Sequence, residues 1–487
     1  MNTTLLILLA VVVALALLLY FWRQIDYWLY NPRPIPPGDS GQNGYKTITL
    51  ADGTTEEVHF VPNQLIYMPN RKEKKFNQKK MLKFLDFHGF KPLSFCPCND
   101  QLMIYQGEGI AHLVSRDPPP DPVNGNKIGG LSLNYLVEPV IISELTQQLE
   151  DNSPGLQDNS IEPIIIDGLE STKESDPIKN RYPVTIGVSD SGVDLHPNGP
   201  LIKFGYLWNK SSMLTGGSCL DPGENGLSKL TPNIQPIDKD GHGTFINGIL
   251  GGGAMSDNKT QKEITDKVKL CLFNIKNSDA DTFLIVDAMC GLYFAAEQGI
   301  RLFNISWGYL EEESAGSPSI FTDFLDKYPD AILVAGIGNK GNGSAKKGIS
   351  LDGNARFWPA CLAENHPRVI SVGALNENWT EIADFSNYSS NPDRLTVLAP
   401  GENIISLAPK SLQREYLKEA AHKNSDGKRK VAAEPSGYTI GCGTSYATPF
   451  VTREIAVMLA EGTKAADIKS KLQSKLKKIS DIPKLEI

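Results

Sequence analysis

Among its 487 residues the chain has no excess of positive charge: 48 lysines and arginines stand against 56 aspartates and glutamates, a net charge of -8. That balance excludes the electrostatic footprint of a nucleic-acid binder. Cysteine is scarce and odd in number, at 7. At least one thiol is therefore unpaired, and the chain is not a disulfide framework. Cys96 and Cys98 are separated only by Pro97, too close for the usual metal or redox spacings, and read as turn residues. No internal repeat is present. No lysine or arginine precedes the first apolar run. A cleaved leader would want a basic start, a shorter apolar run and a small-residue cleavage site.

What is there begins with that run. Leu5–Trp22 carries no charge. As a helix it would rise roughly 27 Å, enough to cross a hydrocarbon core. It exits through Tyr20-Phe21-Trp22-Arg23, the composition of an interfacial aromatic belt. The expectation is a retained single-pass anchor over 5–22. Arg23 and Arg33 follow it. The positive-inside tendency and unpaired cysteines lean the body toward the cytoplasm.

A proline-rich linker over 23–56 follows. Residues 57–146 read as a small α+β domain. Val58–Met68 has strand composition, 74–88 has helical spacing with Gly89 as its stop, 93–96 and 101–106 flank a turn, and 133–142 is a last strand. The basic run Arg71–Lys80 reads as a solvated face. Residues 147–182 are polar, acidic and broken by Pro and Gly, an exposed linker with one short strand at Pro163–Ile166. From 183 to 480, short apolar strands alternate with helical stretches. Val184–Val188, Val268–Phe273, Leu302–Ser306, Ala331–Ala335 and Val369–Val372 have the continuous apolar character of strands buried on both faces of a parallel sheet. Thr282–Glu297 and Ala447–Ala460 read as helices.

Three motifs carry chemistry. Asp190 ends the strand Val184–Val188, His242 lies in Asp240-Gly-His-Gly-Thr-Phe245, and Ser445 lies in Gly443-Thr-Ser-Tyr-Ala-Thr-Pro449. A serine hydroxyl is a poor nucleophile near neutral pH. It needs an imidazole to take its proton and a carboxylate to orient that imidazole. Asp190 would emerge at the C-terminal edge of a parallel sheet, where open α/β folds place their sites. Gly241 and Gly243 would leave the His242 ring reachable. Pro449 near a helix start would be tolerated there. Asn339, in Ala335-Gly-Ile-Gly-Asn-Lys-Gly341, supplies an amide for an oxyanion. Ser306, Trp307 and Gly308 follow a strand and would border a substrate-backbone edge of the β-augmentation type, Trp307 being equally readable as core.

With these motifs the chain resembles the subtilase (subtilisin-like) serine peptidases over roughly Pro183–Leu472. Further matches are Ala295–Gly308, Phe357-Trp-Pro-Ala360, Val369–Ala374, Phe385-Ser386 and Leu398-Ala-Pro-Gly401. The resemblance implies a three-layer α/β/α domain with a mainly parallel sheet, and endopeptidase cleavage of polypeptides through an acyl-enzyme without a cofactor. It places Asp190, His242, Ser445 and Asn339 on the family's four catalytic positions. The small domain resembles the family's inhibitory propeptide, which implies a zymogen blocked by its own N-terminal part, with a processing point in 147–182. An accessory domain that stays attached is the rival. Family members are mostly exported, against the cytoplasmic lean.

The chain departs from the pattern in places. Phe245 replaces a second histidine and should face the core; Tyr446 and Thr448 replace smaller residues or Met. A polar stretch after Gly253 stands where Gly-Val-Ala-Pro is usual, and no calcium loop is evident. No metal site is assigned. Ser411–Glu434 is a charged insert that reads as a surface helix and offers a contact for a regulator. Two other functions remain open: a tethered pseudopeptidase that binds peptide strands, and a signalling peptidase switched by a partner at that insert.

Overall fold

A computed structural model describes residues 45–50, 52–69, 75–87, 89–96, 99–107, 131–139, 184–193, 221–222, 228–229, 238, 240–251, 268–277, 282–312, 319–339, 348–407, 420–423, 429–432, 438–475, 478–479 and 482–483. The proposed anchor at 5–22, the linker at 147–182 and the stretch after Gly253 lie outside these. No helix among the described residues is long and apolar enough to cross a membrane.

The small N-terminal unit contains β1 (Tyr45–Thr49), β2 (Thr55–Tyr67), α1 (Lys75–Phe87), β3 (Lys91–Cys96), β4 (Asn99–Gln106) and β5 (Leu131–Pro139). All its strand pairs are antiparallel. Gly89 stops α1 with φ +78°, a conformation that costs glycine nothing. The expected helix and hairpin are present. The unit starts earlier than expected, because β1 pairs back onto β2 from within the stretch read as linker.

The larger unit is built on β6 (Val184–Asp190), α2 (His242–Leu250), β7 (Val268–Asn274), β8 (Thr282–Leu284), α3 (Ile285–Glu297), β9 (Leu302–Ile305), β10 (Trp307–Glu312), β11 (Ile332–Gly336), β12 (Ala355–Trp358), β13 (Val369–Leu375), β14 (Val397–Pro400), β15 (Ala420–Lys423), β16 (Arg429–Ala432) and α4 (Thr444–Ala460). Six strands form an entirely parallel sheet in the order β14-β13-β11-β9-β6-β7. Alternate residues feed two cores, as the period of a strand requires. Leu302, Ile332 and Val334 pack with Ile246, Ile249, Phe450 and Val451 of α2 and α4. Phe303, Leu333 and Ala335 pack on the other face with Ala288, Leu292 and Tyr293 of α3. The three-layer α/β/α architecture follows.

Two elements differ from expectation. Thr282–Leu284 is a strand, and the helix begins only at Ile285. β-Branched Thr282 and aromatic Phe283 suit a strand better than a first helical turn. Within the insert at 411–434, the described residues form an antiparallel hairpin of β15 and β16, not a surface helix. Ala420–Lys423 and Arg429–Ala432 are each too short for helical periodicity to declare itself.

The two units share one core. The apolar cluster on the α3 face continues into Phe60, Leu65, Tyr67, Met81 and Leu102 of the small unit. Cys96, at the end of β3, is disulfide-bonded to Cys290 in α3, with Cα atoms 5.5 Å apart. This corrects the reading of Cys96 as an ordinary turn residue. Its partner lies 194 residues away, so sequence spacing held no signal. Among the described residues, Cys361 is not disulfide-bonded.

Candidate active site

Three neighbouring strands of the parallel sheet deliver the site at their C-terminal ends. Asp190 closes β6, Ser306 follows β9, and Asn339 lies three residues past β11. Two helices meet them: His242 opens α2 and Ser445 is the second residue of α4.

His242 is set by a local cap. Asp238 accepts backbone N–H bonds from Asp240 (3.0 Å), Gly241 (2.8 Å) and Thr244 (2.8 Å) and the Thr244 hydroxyl. It gathers the donors that a helix start leaves without intrahelical partners. Gly241 supplies the turn with φ 101°. Gly243 is required for a different reason from the one expected: a Cβ there would lie 2.1 Å from the Gly192 carbonyl oxygen. Burial raises the pKa of Asp238 despite these bonds. Asp238 was missed in the sequence, although Asp-Lys-Asp-Gly-His is a capping pattern.

The His242 Nδ1 lies 2.7 Å from Asp190 Oδ1. The same oxygen accepts the Ser191 N–H at 2.7 Å. Burial opposes the imidazolium, but the Asp190 charge, its hydrogen bond, and Asp240 and Asp238 outweigh it, so the pKa of His242 is raised above 6.5. His242 Nε2 is buried and has no hydrogen-bond partner among the described residues. Tyr446 covers the ring at 5.7 Å between centroids and packs at 4.0 Å on Phe245, which faces the core as expected.

Ser445 is clamped to Ser306. The Ser445 Oγ donates to the Ser306 carbonyl at 2.7 Å, and the Ser306 Oγ donates to the Ser445 carbonyl at 2.9 Å. The second bond has a backbone cause. Pro449 lies inside α4, not at its first position, and has no N–H to give to the carbonyl four residues earlier. That carbonyl belongs to Ser445, and Ser306 supplies the missing donor. Asn304 Nδ2 in turn donates to Ser306 Oγ at 2.9 Å, and its Oδ1 accepts from Thr452 at 2.9 Å.

Asn339 reaches the same helix start: its Oδ1 accepts the Thr444 N–H at 2.9 Å. Trp307 resolves toward the core. It is 1% exposed, and its Nε1 donates to the Ser189 carbonyl at 2.9 Å, beside Asp190. Its backbone, however, lies on the predicted edge. That edge is occupied: Trp307 pairs with Pro139 and Gly308 with Glu138, both on β5. On its other side β5 pairs with Phe283 and Leu284 of β8. Asp190, His242 and Ser445 are all buried, Ser445 at 0% exposure. Among the described residues no group of three or more His, Cys, Asp or Glu side chains is placed to hold a metal ion.

The subtilase family model matches residues 183–479. Subtilisin-like protease 3 of Plasmodium falciparum is 28% identical over 179 residues, 35% of this chain and 22% of that protein. The intracellular serine protease of Paenibacillus polymyxa is 26% identical over 225 residues, 45% of this chain and 54% of that protein. Thermitase of Thermoactinomyces vulgaris is 26% identical over 247 residues, 50% of this chain and 70% of that protein. The chain thus spans about a fifth and about half the length of the first two relatives. Fervidolysin of Fervidobacterium pennivorans, a keratinolytic enzyme related to subtilisin, shares the fold with a TM-score of 0.52 at 18% identity, over 90% of this chain and 60% of that one. With the family model covering more than half of its length and the motif residues gathered at one sheet edge, the chain belongs to the subtilase family of serine peptidases.

Proposed function

We propose that the chain is a serine endopeptidase acting through Ser445, anchored to a membrane by 5–22 and made in a form blocked by its own small unit. His242 Nε2 takes the Ser445 proton as the hydroxyl attacks a peptide carbonyl. Asp190 holds the ring tautomer and stabilises the imidazolium. The hydroxyl turns from the Ser306 carbonyl toward Nε2 for this step. The Ser445 N–H, in the first turn of α4, and the NH2 end of Asn339 receive the developing oxyanion. His242 then protonates the leaving amine, and water releases the acyl group by the reverse route.

One observation carries the blocked form: β5 occupies the Trp307–Gly308 edge as an added antiparallel strand, the mode in which extended peptides bind a sheet edge. β5 runs antiparallel to β10, so its C-terminal end lies at the Ser306 end, beside Ser445. Self-cleavage falls in the chain between Pro139 and Val184, a span that includes the expected 147–182 point. The Cys96–Cys290 bridge favours an oxidising compartment for the body, against the cytoplasmic lean that rested partly on unpaired cysteines. A regulator contact at Ser411–Glu434 would show as altered activation when that insert is deleted.

N-terminal sequencing of the purified protein tests the reading. A new start between 140 and 183, absent in Ser445→Ala, is expected. Met1 as the sole start in active enzyme overturns the blocked form, and peptide hydrolysis retained in Ser445→Ala overturns the nucleophile.

A further inference from the structure

We propose that Tyr309 and Glu311 form a distal subsite for a tyrosine side chain of a bound polypeptide. This rests on the reading that β5 lies where substrate lies. β5 pairs with β10 at Pro139–Trp307 and Glu138–Gly308, while the backbone of Tyr135 pairs with Phe60 of β2. The Tyr135 side chain nevertheless reaches β10. The Tyr135 hydroxyl donates to the Glu311 carboxylate, and the Tyr135 ring stacks on Tyr309 at 4.3 Å with an interplanar angle of 16°. Both are cross-strand contacts of the kind that stabilise paired strands. Tyr135 and Glu311 are each 2% exposed.

The wall of this subsite belongs to the peptidase and not to the small unit. β10 also pairs with β12 of the larger unit, Tyr309 opposite Trp358 and Glu311 opposite Arg356. Removing β5 therefore leaves Tyr309 and Glu311 in place, with a carboxylate that has lost a buried donor. A substrate with tyrosine four residues before the residue opposite Trp307 restores both the stack and the bond. Phenylalanine restores only the stack, and a site built around a hydroxyl discriminates against the analogue that lacks it.

Two internally quenched peptides test this. One carries Leu-Ser-Leu-Asn-Tyr-Leu-Val-Glu-Pro ahead of the bond to be cut, and the other has phenylalanine for tyrosine. The full-length protein is used after self-processing, reduction of the Cys96–Cys290 bridge and removal of the small unit. Wild type should favour the tyrosine peptide in kcat/KM by about tenfold or more, the size of a hydrogen bond to a charged group. Glu311→Gln should shrink that ratio severalfold by slowing the tyrosine peptide more than the phenylalanine peptide. Equal cutting of the two peptides by wild type overturns the subsite alone. If no peptide is cut and no fluorophosphonate reacts, the peptidase reading has failed; fluorescence polarisation of the same two peptides then decides the subsite, equal affinities overturning it.

A different observation carries a second inference. The Cys96–Cys290 bridge joins β3 of the small unit to the middle of α3, so we infer that a cut between 140 and 183 leaves the small unit covalently attached. Its departure requires a dithiol reductant. One thiolate of the reductant attacks a bridge sulfur and expels the other cysteine as thiolate. The second thiolate resolves the mixed disulfide, so that the reductant becomes a disulfide and Cys96 and Cys290 become thiols. The test places a site for a sequence-specific protease within 147–182 of the full chain, which makes the cut independent of self-processing. Denaturing electrophoresis of the cut protein should give one band without reductant and two with it, and Cys96→Ser should give two in both cases. Two bands from unreduced wild type overturn the inference.

Discussion

The site and the junction that covers it are held in opposite ways. Asp190, His242 and Ser445 are fixed by bonds within one fold: the Asp238 cap, the Asp190–His242 contact, and the exchange of hydroxyl and carbonyl between Ser306 and Ser445. The junction is fixed by one added strand, a shared apolar face and a disulfide. Contacts inside a fold persist as long as it stays folded. A strand laid on an edge can be exchanged for another strand. The chemistry and the proposed block are therefore separable, and variants should affect one without the other.

The largest effect belongs to the site. Asp190→Asn keeps the side-chain shape but no longer holds the tautomer, and should cut peptide hydrolysis by about 10⁴, the size such a change has in a serine-protease triad. The junction should stay docked, read as unchanged retention of the small unit on gel filtration. Asn339→Ala should cost roughly 10²–10³ in kcat with little change in KM, the size found for a donor amide in a subtilisin. Glu138→Pro attacks the junction alone. It removes a backbone donor from a strand paired on both sides, and should raise hydrolysis by the intact chain severalfold while leaving the freed enzyme unchanged. Ser306→Ala is smallest in rate but measurable in stability. It removes the hydrogen bond from Ser306 Oγ to the buried Ser445 carbonyl and should cost about 1–3 kcal/mol in denaturant unfolding.

The pH profile sharpens the same contrast. His242 accepts a proton only when neutral, and its pKa is raised above 6.5. Activity should therefore rise with pH through a midpoint above 6.5, and Asp190→Asn should lower that midpoint. The sign for stability is opposite: protonated His242 stabilises the fold at pH below its unfolded value, and this contribution fades as pH rises through the folded value.

Much of the site could be read in the sequence because its motifs are local. Asp190, His242, Ser445 and Asn339 each lie in a few small residues that a tight strand end or helix start demands. The five apolar strands were legible for the same reason. What the sequence left open or hid lies where a residue answers to something distant. Trp307 was equally readable as edge or core, and its indole is committed to Ser189. Pro449 looked harmless near a helix start, and only the fold reveals that Ser306 repairs the bond it breaks. Cys96 had no visible partner within reach of spacing rules. A last strand was expected at 133–142 and lies at Leu131–Pro139, but its insertion between β8 and β10 was not expected, because pairing partners across units leave no periodic trace.

The proposed chemistry rests on one atom, Ser445 Oγ. Mapping the site of fluorophosphonate attachment by mass spectrometry, on protein cut between 140 and 183 and freed from its small unit, tests it most directly. The adduct should fall on Ser445 and disappear in His242→Ala. A freed, folded protein whose Ser445 stays unmodified, or an adduct on another serine, would contradict it.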